Sequence, residues 1–236
     1  MIAPLDPNRA MLLRVAQALG ELRESLVFVG GCATGLLVTA VRAQMLRPTD
    51  DVDMVAHALT AREYHEVEQQ LQACGFEHDM TEDAPICRWR YQGIVIDLMP
   101  SGDGVLGFHN RWYPLAVESA QTVALDDGVA IRLITAPAFV ATKLEAFHGR
   151  GAGDFLMSHD LEDIVTVVDG RAELAEEVRQ SPEELRAYLV QHFRTLLDAP
   201  GFLEALAGHL PGDVGSQARL PGLIARFREI SAIDKV

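Results

Sequence analysis

The sequence predicts an α+β protein: a mixed α/β front followed by a helical back, with the boundary near Thr135-Ala136-Pro137. Three observations predict it. Before Pro137, short apolar runs that suit buried strands alternate with helical patterns. Glycine-containing junctions at Gln92-Gly93 and Asp126-Asp127-Gly128 separate pairs of such runs, as hairpin turns do. After Pro137 the spacing becomes helical throughout. The domains expected are therefore 1–135 and 136–236.

Residues 9–22 carry Met11, Leu12, Val15 and Leu19 at helical spacing. Leu26 to Val29 is a short buried strand that ends in Gly30-Gly31, and residues 32–45 read as a helix. Asp51 to His57 alternates polar and apolar at its start, as a strand buried on one face does. From Thr60 to Cys74 the pattern is an amphipathic helix: Thr60 caps it, Glu63 completes a capping box, and Gly75 ends it. Ile86–Tyr91 and Ile94–Met99 read as strands, as do Thr122–Leu125 and Ala130–Ile134. Helices are expected over 138–148, 158–169, 171–179, 182–197, 199–209 and 221–232, punctuated by Gly149, Gly170, Pro182, Pro200 and Pro211.

Composition narrows the class. The chain has 236 residues, 49% hydrophobic and 23% charged, which excludes disorder, collagen and coiled coil as its main organisation. No apolar stretch approaches the roughly 18 residues of a membrane span, so no membrane association is expected. The first residues lack the basic cap, apolar run and cleavage site of a signal peptide. Cys32, Cys74 and Cys87 show no paired spacing, so neither disulfides nor a zinc site is expected, and the expected location is cytoplasmic. With 20 basic and 34 acidic residues the net charge is −14. That weighs against non-specific nucleic-acid binding, which depends on neutralising phosphates with Lys and Arg.

The chemistry concentrates in three carboxylates. Asp51 and Asp53 lie at i and i+2 on a strand, so both project from one face. Asp97 interrupts the apolar run Ile94-Val95-Ile96-Asp97-Leu98-Met99, where a charge is costly unless it is paired or holds a metal. If the two strands are neighbours, the three converge. Hard oxygen ligands of this kind suit Mg²⁺, with Mn²⁺ as a substitute, and Asp97 could also deprotonate a nucleophile. Gly30-Gly31, between a strand and a helix, would let phosphates approach backbone N–H groups at a helix N-terminus.

Val27-Phe28-Val29-Gly30-Gly31 followed by Arg47-Pro48-Thr49-Asp50-Asp51-Val52-Asp53 resembles the signature of the DNA polymerase β-type nucleotidyltransferase superfamily. Ala136-Pro137, Ala141-Thr142-Lys143-Leu144-Glu145-Ala146 and Ser158-His159-Asp160-Leu161-Glu162-Asp163-Ile164 resemble its AbiEii/AbiGii toxin branch. The resemblance spans about residues 25–170. It implies a nucleotidyltransferase-type mixed β-sheet with flanking helices, a helical C-terminal domain completing the active site, and transfer of NMP from an NTP by a two-metal mechanism. By match to the motifs it implies catalytic roles for Asp51, Asp53, Asp97, Lys143 and Asp160, metal ligation by Asp51, Asp53 and Asp97, and nucleotide contacts from Gly30, Gly31, Thr49 and Lys143. It further implies a role as the toxin of a toxin–antitoxin or phage-defence system, with an antitoxin protein as partner. The stretch from Gly31 to Asp51 is longer than the superfamily's usual spacing, which a longer helix or an added turn would absorb.

Several assignments stay open on the residues alone. Lys143 and Lys235 are the only lysines. Within an apolar helix, Lys143 is either a triphosphate contact or a lysine that snorkels to the surface. Asp160 either orients Lys143 or a metal-bound water, or serves the first turn of its helix, as Glu162 and Asp163 do. His159 reads as structural. Arg88 and Arg90 share one strand face, with Trp89 on the other. Arg88 and Asn110 are candidate phosphate contacts, while Trp89 and Trp112 suit the core. The acceptor is a tRNA, a protein or a small molecule; related toxins point to RNA, the acidic balance away from it. The competing reading is a non-catalytic nucleotide-sensing or partner-binding protein on the same fold.

Overall fold

The computed structural model describes residues 6–40, 46–150 and 153–233. Its chain divides into two compact units. Asp6–Gly35 with Arg47–Thr135 forms the first; Ala136 onward, with the segment that begins at Leu36, forms the second.

The first unit is built on a mixed seven-stranded sheet. Helix α1 (Arg9–Leu19) buries Leu12, Val15, Ala16 and Leu19 and passes into a 3₁₀ turn, Gly20–Glu24, which ends it earlier than the sequence pattern suggests. Strand β1 (Leu26–Val29) is buried along its whole length and runs directly into α2 (Gly30–Leu37). Strand β2 (Asp51–Ala56) follows, then α3 (Ala61–Ala73), where Thr60 and Glu63 form the expected capping box. Next come β3 (Glu77–His78), β4 (Arg88–Tyr91), β5 (Ile94–Pro100), α4 (Tyr113–Ser119), β6 (Gln121–Ala124) and β7 (Ala130–Leu133). The β4–β5 turn has φ +47° at Gln92 and +82° at Gly93, the double left-handed geometry of a tight hairpin.

The strand order is β3-β4-β5-β2-β1-β7-β6. Strand β2 lies antiparallel to β1 and parallel to β5, and β1 lies parallel to β7. The expected helix over 32–45 is corrected: α2 starts at Gly30 and ends at Leu37, while 41–45 lie outside the described residues. Among the described residues, α2 is not lengthened to absorb the long spacing before Asp51; from Leu36 the chain belongs to the second unit. Strand β3 and helix α4 were not expected. Two residues are too few to show an alternation, and α4 is seven residues long with a proline in its first turn.

The second unit comprises α5 (Ala136–Arg150), α6 (His159–Gly170), α7 (Leu174–Gln180), α8 (Glu183–Asp198), α9 (Phe202–Gly208), α10 (Val214–Gln217) and α11 (Leu220–Ser231). Every residue from Ala136 to Leu144 is buried, so the first half of α5 is enclosed on all sides. Helices α8, α9 and α11 close over a cluster in which Phe227 meets Phe193 at 5.0 Å and Phe202 at 5.4 Å between ring centroids. Short α10, with the Asp213 side chain accepting from Ser216 N–H, was not expected. Among the described residues no helix is long and apolar enough to cross a membrane.

Candidate active site

The sheet register brings the three carboxylates together. Asp53 stands opposite Asp97 across β2 and β5, and Asp97 stands opposite Arg88 across β5 and β4. Alternation keeps Val52, Met54, Ile96 and Leu98 in the core and leaves Asp51, Asp53 and Asp97 half-buried on the other face. Oxygens of the three carboxyl groups lie within 4.8 Å of one another. Such a set of hard oxygen donors fits Mg²⁺ or Mn²⁺, and it is the cluster with metal-binding geometry found among the described residues.

Each carboxylate is held differently. Thr49 donates its hydroxyl to Asp51 Oδ1 at 2.5 Å. Thr49 N–H in turn donates to Asn8 Oδ1 at 2.9 Å, and Asn8 Nδ2 donates to the Arg47 carbonyl at 3.1 Å. Asn8, just before α1, is only 2% exposed. It therefore pins the approach to β2 and, through Thr49, the Asp51 carboxylate. Sequence reasoning missed Asn8, because a single asparagine 39 residues from Arg47 carries no local signal. Asn8→Ala should lower stability by about 1–3 kcal/mol, since it removes two hydrogen bonds to partly buried backbone groups; urea unfolding should show this as a lower midpoint with unchanged slope.

Asp53 is shaped by Gly30. That residue has φ +68°, and a Cβ placed on it would lie 1.8 Å from Asp53 Oδ2. Glycine is required here twice over, by conformation and by contact. The carboxylate thus sits against the first residue of α2, the helix end that favours negative charge. Gly31 is buried within the same first turn.

Asp97 is gripped by Arg88. Nε donates to Oδ1 at 2.9 Å and Nη2 to Oδ2 at 2.7 Å, a fork-to-fork pair. The hydrogen bonds to Asp97 raise the Arg88 pKa still further, against a smaller lowering by burial, so the guanidinium is a permanent cation. Neighbouring Cys87 is buried, and burial, with help from Asp97, pushes its thiol up to about 11. It stays protonated and adds no thiolate to the site. Trp89 and Trp112 are both buried, as core residues should be.

Lys143 and Asp160 belong to the second unit, and the structure shows a buried ion cluster there. Lys143 is 8% exposed, so it does not snorkel. Its Nζ lies 3.2 Å from Asp160 Oδ1 and 2.7 Å from Asp163 Oδ2. Arg150 donates from Nε and Nη2 to the two oxygens of Asp160, each at 2.9 Å. Burial pushes the Asp160 carboxyl up; the Arg150 bonds and the Lys143 and Arg150 charges outweigh it, so it sits below the ordinary value. Asp163, which the sequence pattern alone assigns to the helix's first turn, is the nearer partner of Lys143. A spacing of i, i+3 on α6 gives it that position. Ser158 caps α6 through Leu161 N–H, and His159 pairs with Glu162 at the surface.

No family model matches the chain, and no curated protein does. Among solved structures, it is similar to the antibiotic-resistance factor ANT(2'')-Ia in solution, at 15% identity over 80% of this chain and 94% of that chain, with a TM-score of 0.48. An antigenic nucleotidyltransferase-like protein from Paracoccidioides brasiliensis gives 21% identity, 87% and 94% coverage, and a TM-score of 0.47. JHP933 from Helicobacter pylori gives 12% identity, 98% and 94% coverage, and a TM-score of 0.46.

Proposed function

We propose that the protein is a divalent-cation-dependent nucleotidyltransferase that moves NMP from an NTP to an acceptor. The observation that carries this reading is the convergence of Asp51, Asp53 and Asp97, with oxygens within 4.8 Å, on one face of adjacent strands. Three acidic groups crowded together repel one another; Arg88 offsets part of that repulsion at Asp97, and a divalent cation held between the three would offset it further. Asp51, Asp53 and Asp97 would hold Mg²⁺ or Mn²⁺. When bound, the cation would neutralise phosphate charge and favour the acceptor's ionised form, and a second ion would clamp the leaving pyrophosphate. Asp97 would take the proton from the acceptor hydroxyl. Gly30, Gly31 and the first turn of α2 would receive phosphate oxygens on backbone N–H groups, and Thr49 would hold Asp51 in place.

The motif resemblance to the AbiEii/AbiGii branch supports a toxin role with an antitoxin partner. Growth arrest on expression, relieved by Asp51→Asn, would check that role. Lys143 and Asp160 take their proposed roles from the same resemblance. The net charge of −14 favours a compact acceptor over a long nucleic-acid footprint.

The test is incubation with each NTP, radiolabelled at the α-phosphate, together with Mg²⁺ or Mn²⁺ and tRNA, protein or metabolite fractions. Label should enter one fraction, and Asp51→Asn should reduce the rate by on the order of 10³-fold without unfolding the protein. Transfer that falls steeply with salt would assign a nucleic-acid acceptor, and a flat profile a small one. Undiminished transfer in folded Asp51→Asn would overturn the site. Nucleotide binding without turnover under every condition would favour the nucleotide-sensing reading.

A further inference from the structure

The Arg88–Asp97 pair sits where the proposed site needs a free carboxylate. Both Asp97 oxygens accept from Arg88, at 2.9 and 2.7 Å, and the register places the two residues directly opposite each other on β4 and β5. The pair is largely shielded, with 30% of the Arg88 side chain and 13% of the Asp97 side chain exposed. A carboxylate engaged through both oxygens by a fork of N–H donors has its best ligand directions taken. We infer that Arg88 is a positioning residue that competes with the divalent cation for Asp97, holding the third carboxylate in place while the cation is absent and yielding at least one of its oxygens when the cation binds.

The inference rests on the nucleotidyltransferase reading for its purpose, but not for its physics. Neighbouring carboxylates without a cation repel, and a resident guanidinium offsets that repulsion in the folded chain. The same guanidinium repels an incoming Mg²⁺ and must lose two charge-assisted hydrogen bonds before Asp97 can ligate fully. Once displaced, a planar fork of donors suits phosphate oxygens. Arg88 would thus couple cation entry to the arrival of an anionic substrate: phosphate gives the displaced guanidinium a new partner. Arg90, on the same strand face, does not share this position, since its Nε is bound to Asp79 Oδ2 at 2.8 Å.

The experiment is a titration of the full-length protein with Mn²⁺ in the absence of nucleotide, read by electron paramagnetic resonance of free Mn²⁺, alongside thermal melts with and without the metal. Wild type, Arg88→Gln, Arg88→Lys, Asp97→Asn and Arg88→Gln/Asp97→Asn are compared. Arg88→Gln should bind Mn²⁺ about tenfold more tightly, the equivalent of roughly one charge-assisted hydrogen bond. It should melt lower than wild type without metal and recover more on adding it. Arg88→Lys, which keeps charge without the fork, should lie between them. In the Asp97→Asn background the Arg88→Gln gain should disappear, as a double-mutant cycle requires of a direct competition. Unchanged or weaker Mn²⁺ binding in folded Arg88→Gln would overturn the inference, as would an equal gain with Asp97→Asn. If neither Arg88 variant folds even with Mn²⁺, Arg88 is a structural residue and the inference fails. Because no turnover is measured, these outcomes are separate from the transfer assay: tighter Mn²⁺ binding without any label transfer would keep the competition and remove the proposed reaction.

Discussion

Lys143→Met should destabilise the protein by about 3–5 kcal/mol, the loss expected when one partner leaves a buried ion cluster. Asp160 and Asp163 are 4% and 3% exposed, and both contact the lysine ammonium. Arg150 still pairs with Asp160 in the variant, so the cluster keeps one of its two cations. A methionine fills similar volume but offers neither charge nor donor. Urea unfolding at neutral pH would measure the loss. Lys143→Met/Asp160→Asn/Asp163→Asn should regain most of it, because removing a buried charge set as a whole is far less costly than breaking it. If that triple variant is stable, its transfer activity tests together the roles the motif resemblance gives to Lys143 and Asp160. Lost activity in a stable protein supports a part for the pair in transfer, and retained activity leaves the cluster structural. The pH dependence follows from Asp160. Its folded pKa lies below the ordinary carboxylate value, so its contribution to stability is complete above the unfolded value of about 3.9 and is lost as pH falls through the folded one. Asp160→Asn should therefore cost a constant amount above about pH 4, with the difference from wild type shrinking in more acidic solution.

Gly30→Ala should be nearly as damaging, at about 2–4 kcal/mol, and should disable the site as well. The backbone at φ +68° disfavours any L side chain, and the added methyl would overlap Asp53 Oδ2 at 1.8 Å. Either the turn between β1 and α2 must rearrange or Asp53 must leave its position. The damage should therefore be visible twice: as a lower melting temperature and as weakened Mn²⁺ binding. Gly128→Ala is the control. Its φ is +72°, so it carries the same conformational penalty, but no atom lies within 4 Å of the added carbon. It should lose about 1–2 kcal/mol and keep the metal affinity of wild type.

Asp51, Asp53 and Asp97 were legible as candidates because their signal is local. Two charges two residues apart share a strand face, and one charge in an apolar strand demands a partner. The capping box at Thr60 and the hairpin at Gln92-Gly93 were legible for the same reason, since each is settled within a few residues of chain. Gly30 was singled out for phosphate approach, and the structure adds a contact that pattern could not supply: its missing side chain makes room for Asp53. Asn8 and Arg88 were not legible as positioning residues. One acts across 39 residues and the other across a sheet register, and Arg88 on sequence grounds was only a candidate phosphate contact.

What the amino-acid sequence determined by itself is the order of most elements (though not β3, α4 or α10), the alternation along β2 and β5 and the identity of the acidic groups, because those follow from near-neighbour spacing and local backbone preference. Only the tertiary structure decided that β2 and β5 are parallel neighbours with Asp53 opposite Asp97, that Arg88 takes both Asp97 oxygens, and that Lys143 is enclosed with two carboxylates. The reason is physical. Pairing, burial and charge neutralisation depend on which distant segments share the same low-dielectric space, and that choice is made by the packing of the whole unit.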